Sequence, residues 1–543
     1  MPKRAEVEVP LAPATEAVRA PQWQEVELVL DGPGPTTGTA NPYVDVEAWV
    51  DLVHEGGRTV RRPVFWDGGS TYRVRFASTE GSGTWRWTVH AASASHRFTP
   101  AAGKLEATPT EPGHVHPALR HGFAAIARGS RATAYADGTP AFMVADTAWA
   151  LPFRAMPKDV RTYAADRAAK HVTTVFLMAV QPDMDARGPR ERGVDGGFDV
   201  AFEDLPDGRL ERLNPAYWRS FDDLSAILVE HGLTPALAPV FQGFGWKGLR
   251  TAGPVVSAED YARLCRYLVA RYGARPTVFL VGADGTGEEP GVEAGGREIG
   301  AWDAYGHPVG LHYRPHSTNR AHQDAPWLDF QSCQTGHDGD HTPDRLATMW
   351  AHRPVTAIMN GEPTYEHSGR LGKAAGWWQG HEAWSNVCAG GLLGVAYGAA
   401  SLWQWRLSAS EEGHAPFFLA EHAGWREALD FEGSRYVGLV GHILRGLPLQ
   451  DAAPCWDVVL RSRGLLAPGA FFLSYAEHGG PWHFLDADGR IGDRYWIIDP
   501  TTGLLVDSGV RPRNYGTVPG EPERPAILIC ADEPPPVVVA QLG

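Results

Sequence analysis

Two carboxylates in the middle of this 543-residue chain close apolar runs of strand length: Asp284 ends PTVFLVGAD and Glu362 ends PVTAIMNGE. A pair of acids placed this way can break an acetal. One carboxyl stays protonated and donates to the leaving oxygen; the other is ionised and attacks the sugar carbon or activates water. A dry pocket and mutual repulsion push two such pKa values apart. Further polar and aromatic residues follow similar runs: Asp146 and Trp149, His312, Gln334 and His337, and Trp403 and Trp405. Each has a plain structural alternative. Asp284-Gly285 is an ordinary turn dipeptide, Glu362 before Pro363 suits a loop, and Asp146 could cap the next helix. Trp403 and Trp405, two apart, share one face of a regular strand, as a core wall or a sugar platform.

The elements that must carry these residues alternate. From about residue 115 to 445, eight apolar runs are separated by helical patterns: AFMVADTAW, TTVFLMAV, TPALAPVF, PTVFLVGAD, HPVGLHY, WLDFQSCQ, PVTAIMNGE and GVAYGAASLWQW. Pro157 suits a first helical turn, Ser257 with Asp260 marks another helix start, and Gly232 marks a stop. Eight strand–helix units predict a (β/α)8 barrel, with active-site groups at the C-terminal ends of the strands. Before it, VEAWVDLVH, STYRVRF and TWRWTV alternate apolar and polar residues, predicting a β-sandwich over 21–108. After it, WDVVLRS, GAFFLSYAE and RYWIIDP predict a small β domain over 446–543. Residues 1–20 are Pro/Ala/Glu-rich and read as disordered. The expected class is multidomain α/β.

Composition narrows the function. The net charge of −15 argues against a nucleic-acid or anionic-membrane partner. No apolar run reaches the roughly 20 residues needed to span a bilayer. The absence of a signal-peptide-length apolar stretch points to a cytoplasmic protein, or to a secreted one whose leader has been removed. Five cysteines without a CxxC pair argue against a disulfide framework or zinc cluster. Twenty tryptophans suit the flat faces of sugars better than economical core filling. GFGWKG, Gly243–Gly248, fits a dinucleotide fingerprint by spacing, but LRTAGP follows it where a helix should begin. The pair His114/His116 and the segment HDGDH, His337–His341, are the metal-ligand alternatives.

Taken in chain order, these motifs resemble the apiosidase-like glycoside hydrolases, in patches from residue 23 to 510. YADGTPAFMVADTAWAL is similar to that family's opening barrel strand, which aligns Asp146, Thr147 and Trp149. VFLVGAD resembles its fourth strand and implies Asp284 as general acid/base, with Ala283 where a second glycine is usual. WLDFQSCQTGH brings in Gln334 and His337, and NGEPTYE places Glu362 at the nucleophile. YGAASLWQW resembles the eighth strand, NPYVDVEAWVDL with RFASTEGSGTWRW the preceding sandwich, and YWIIDPTTG the terminal domain. The resemblance implies a glycoside hydrolase needing no cofactor, with a glycoside as its partner. Asp146, His312, Gln334 and His337 would hold sugar hydroxyls, and Trp149, Trp403 and Trp405 would wall the pocket. The charged loop after the second run and the Gly-rich segment after Asp284 leave the sugar open. The rival readings are a non-catalytic carbohydrate-binding protein on this fold and a metal-dependent hydrolase.

Overall fold

The computed structural model describes residues 18–182, 184, 200–243, 250–337, 343–367, 376–410, 423–460, 462–513 and 515–542. Most of the GFGWKG fingerprint, most of HDGDH, most of the loop after the second run and nearly all of the N-terminal tail lie outside them.

Eight parallel strands close a barrel in sequence order: β1 (Met143–Thr147), β2 (Thr174–Met178), β3 (Thr234–Ala238), β4 (Val278–Gly285), β5 (Val309–Tyr313), β6 (Phe330–Gln334), β7 (Ala357–Glu362) and β8 (Gly394–Tyr397). Nearly every residue in them is buried, which is why they read as continuous apolar runs rather than alternating ones. The connecting helices are α1 (Pro157–Ala169), α2 (Pro215–Glu230), α3 (Ala258–Tyr272), α4 (Pro290–Trp302), α5 (Asp344–Trp350), α6 (Trp377–Cys388) and α7 (Gly433–Leu444). Residues 314–329, between β5 and β6, form turns and no helix. The cap signals hold: the Ser257 side chain accepts the Asp260 N–H at 3.1 Å, and Gly232 adopts φ +84° after α2. Helix α4 is poorly marked because its glycines serve packing. A Cβ at Gly295 would sit 2.6 Å from Cys265 Sγ, so α3 approaches only a bare backbone.

Two compact units share the chain, 1–125 with 152–157 and 178–309, and 126–151 with 158–177 and 310–543. In the first, sheets of five and three strands enclose a core that includes Val50, Leu52, Val74, Phe76, Trp85 and Trp87. This is the expected sandwich. It is tied to the barrel helices by buried charge. Asp222 on α2 receives Arg75 from the sheet at 2.6 Å and Arg271 from α3 at 2.7 Å, and Arg271 also reaches Asp67 at 3.1 Å. Burial alone would raise the Asp222 pKa; the two guanidiniums outweigh it and hold the carboxyl well below its ordinary value.

In the second unit, a six-stranded antiparallel sheet follows the barrel. GAFFLSYAE and RYWIIDP supply two of its strands, Phe471–Ala476 and Arg494–Ile498. WDVVLRS does not form the expected strand. Val458 and Val459 are both buried, which breaks the alternation, and only Val459 makes an isolated bridge. The Trp456 indole instead donates to the Cys388 carbonyl at the end of α6, at 2.8 Å. Nor do all the indoles form a sugar-facing surface: Trp85, Trp218, Trp384, Trp405 and Trp482 are fully buried. Among the described residues, no helix is long and apolar enough to cross a membrane.

Candidate active site

Glu362 ends β7, and a bulge aims it. Cys333 on β6 pairs with Asn360 and Gln334 pairs with Glu362, so Gly361 is an extra residue in the ladder. Ile358 packs with Leu346 and Met349 of α5, outside the strand layer. Strict alternation would point Asn360 and Glu362 the same way as Ile358. The extra residue reverses that parity for Glu362. A Cβ at Gly361 would lie 2.0 Å from Ser332 Oγ and 3.3 Å from both His312 Nδ1 and the Phe176 ring. Gly361→Ala should therefore displace the carboxylate and cost about 100-fold in kcat. Partial recovery on adding Ser332→Gly, measured on one aryl glycoside, would show that the clash is the cause.

The Glu362 carboxylate is 6% exposed and receives two imidazoles. His312 Nε2 on β5 lies 2.9 Å from Oε2, and His337 Nε2 lies 3.0 Å from Oε1. The Tyr365 N–H donates to His337 Nδ1 at 3.2 Å. A backbone N–H can only donate, so that nitrogen carries a lone pair and the ring proton sits on Nε2, facing Glu362. Burial would raise the Glu362 pKa; the hydrogen bonds from His312 and His337 outweigh it and hold the carboxyl down to about 2. An ionised carboxylate gripped by two donors is the state a nucleophile needs.

An aromatic wall stands beside it. The Trp149 ring lies 5.2 Å from His312 and 5.4 Å from Phe176 of β2, and Tyr365 lies 4.2 Å from His337. Gly398 leaves room for Tyr365 and Thr147, since a Cβ there would meet the tyrosine ring at 2.1 Å and Thr147 Oγ1 at 2.6 Å. Thr147 Oγ1 and Gln334 Oε1 are buried without a hydrogen-bond partner among the described residues. In native proteins a water, an ion or a ligand commonly satisfies such groups. Thus Glu362, His312, His337, Gln334, Trp149 and Thr147 come together.

The other expected residues have different surroundings. Asp146 is fully buried, and its Oδ2 accepts from the Tyr163 hydroxyl and from Arg167 Nε, both on α1. These bonds tie the strand to α1 rather than cap a helix, and Asp146 Oδ1 is buried with no hydrogen-bond partner among the described residues. Its neighbour Thr147 takes the opposite face, as strand alternation requires. Strand β8 stops at Tyr397, so Trp403 and Trp405 do not share a strand face. Trp403 ends a short helix, Ala400–Trp403, half-buried. Trp405 is fully buried at φ +48° and stacks on Trp425 at 4.7 Å. Gln404 between them was not foreseen; both of its amide atoms are buried without a partner among the described residues. Of the metal candidates, His337 has both ring nitrogens engaged. His116 likewise contacts Thr234 Oγ1 and the Ala118 N–H, each at 3.1 Å.

Asp284 stands half-buried at the C-terminal end of β4 with φ +57°, a left-handed backbone that few residues other than glycine adopt. The turn beyond it is locked by Glu289, which accepts from the Thr286 N–H at 2.7 Å and the Gly287 N–H at 2.9 Å.

Residues 127–451 match the apiosidase-like catalytic domain family, and residues 19–92 match a domain family of unknown function, DUF5060. The first match spans more than half the chain. Among solved structures, one glycoside hydrolase is 18% identical with a TM-score of 0.64, over 78% of this chain and 99% of that one. A family 5 glycoside hydrolase from Bacteroides vulgatus ATCC 8482 is 17% identical with a TM-score of 0.63, over 77% of this chain and 94% of its own. A third structure, from the same organism and provisionally assigned to the same class, covers 94% of this chain with a TM-score of 0.67. No curated protein sequence matches. The fold and the family match define a glycoside hydrolase, acting on carbohydrate. The chain belongs to the apiosidase-like family.

Proposed function

We propose that this enzyme hydrolyses a glycoside with retention of configuration, Glu362 serving as nucleophile and Asp284 as general acid/base. The observation that carries the reading is the Glu362 carboxylate, kept ionised by two histidines beside the Trp149 ring. Asp284 ends its own barrel strand with a strained backbone, at the end of the barrel where such enzymes hold their chemistry. In the first step Asp284 gives its proton to the leaving oxygen as Glu362 bonds to the anomeric carbon. In the second, ionised Asp284 takes a proton from water as water displaces Glu362. His312 and His337 hold the attacking carboxylate, Thr147, Gln334 and Gln404 offer hydrogen bonds to sugar hydroxyls, and Trp149 covers a ring face. A domain division at 21–108, 115–445 and 446–543 belongs to this proposal, with the flanking β modules as supports.

The experiment is turnover of a panel of aryl furanosides and pyranosides, with the first-formed anomer read by NMR. Retention is expected. Asp284→Asn should lose about 100-fold or more on substrates with poor leaving groups and far less on dinitrophenyl glycosides, which leave without a proton. Equal losses on both would remove Asp284 as the acid. Inversion would remove Glu362 as nucleophile.

A further inference from the structure

We propose that Glu382, on α6, is a positioning residue for Glu362, acting through the two turns that flank it. The proposal rests on Glu362 being the nucleophile. Glu382 is buried, and its carboxylate reaches both turns at once. Its oxygens accept the Thr364 N–H at 3.3 and 3.1 Å, beyond β7, and Oε1 accepts the Thr335 hydroxyl at 3.2 Å, beyond β6. Asn386, one helical turn further along the same face of α6, donates to the Asn360 amide oxygen at 3.3 Å. With the Asn360 amide turned so that its nitrogen donates to the carbonyls of Cys333 and Glu362, both at 3.1 Å, its oxygen lies 2.9 Å from Thr335 Oγ1, and the single Thr335 hydroxyl proton is shared between that oxygen and Glu382.

These contacts converge on one group. Fixing the Thr364 N–H fixes the next one, that of Tyr365, which sets the His337 tautomer and so aims the His337 proton at Glu362. Fixing Thr335 fixes its N–H, which donates to the Glu362 carbonyl oxygen at 3.1 Å. Side chain and main chain of Glu362 are thus held by groups that end on Glu382. A packing role alone would be met at lower desolvation cost by an apolar residue.

The test compares Thr335→Val, which keeps the shape and removes the hydroxyl, with Thr335→Ser, which restores it, alongside Glu382→Ala. Turnover is measured on the aryl glycoside that the wild type hydrolyses fastest. The His337 ring is read by NMR on protein labelled with 15N-histidine, assigned with His337→Asn. We expect kcat to fall about 10- to 100-fold in Thr335→Val and Glu382→Ala with KM within about threefold, and to recover in Thr335→Ser. The wild type and both Thr335 variants should show a pure Nε2–H tautomer at His337, since the Tyr365 N–H that sets it is reached through Thr364, and Glu382→Ala a tautomer mixture. The ring signal needs no substrate, so it reads the proposal even if Glu362 proves not to be the nucleophile. The kcat of the Thr335 pair stays decisive if Glu382→Ala does not fold. An unchanged His337 tautomer in folded Glu382→Ala, or a loss of kcat that Thr335→Ser fails to restore, would overturn it.

Discussion

Glu362→Gln should lower kcat/KM by roughly 10^4-fold or more on every glycoside the enzyme accepts. The amide keeps the volume and can still accept from His337, but it cannot form the covalent bond to the anomeric carbon. KM should change little, because the Trp149 wall and the Gln334 and Thr147 hydrogen-bonding groups remain. The substitution also has a stability signature. The folded-state pKa of Glu362 is depressed from 4.5 to about 2, so its ionisation stabilises the fold above the ordinary value. That stabilisation is lost as pH falls through about 2. The variant has no carboxylate to titrate. Acid unfolding curves of the two proteins should therefore converge at the acid end, after the different slopes that Glu362 imposes. Full activity in the variant would leave the histidine pair without a catalytic purpose.

Asp222→Ala should be the most damaging substitution for stability, costing about 3–5 kcal/mol. Arg75 and Arg271 are almost wholly buried, and both lean on this carboxylate. Removing it leaves two guanidiniums inside the protein with their mutual repulsion exposed. Asp51→Ala is the control, because its partner Arg61 is half in water at the sandwich surface, and such pairs contribute about 0–1 kcal/mol. Urea titration, taking the first transition if several appear, should separate the two by several-fold in cost. The acid dependence has the same sign as for Glu362. The Asp222 contribution is present above the ordinary carboxylate pKa of 3.8 and fades as pH falls through its depressed folded value. A cost near that of Asp51→Ala would mean that Glu27 beside Arg75 and Asp67 beside Arg271 suffice to pair the two guanidiniums.

The barrel was legible because burial on both faces writes strands as unbroken apolar runs, and the sandwich because burial on one face writes alternation. The site was legible by residue type and place: an acid or aromatic at the end of a strand. Its direction was not. Asp146 and Thr147 are neighbours in one motif, yet only the threonine faces inward. Parity at Glu362 depends on a bulge at Gly361 that spacing does not reveal. The final turn after β8 defeated strand reasoning altogether, so Trp405 entered the core and Gln404 was overlooked. The Arg75–Asp222 pair joins residues 147 positions apart, beyond any local pattern. Glu382 looked like one charge among many on a helix; its meaning lies in the two turns it touches.

The most direct measurement uses a 2-deoxy-2-fluoro glycoside with a dinitrophenolate leaving group, built on the sugar that the aryl panel selects. The fluorine slows breakdown of the covalent intermediate, and peptide mass spectrometry then locates the sugar. The account predicts a single modified residue, Glu362, in the peptide that contains NGEPTYE. A sugar carried on any other side chain, or turnover through inversion with no covalent adduct, would contradict it.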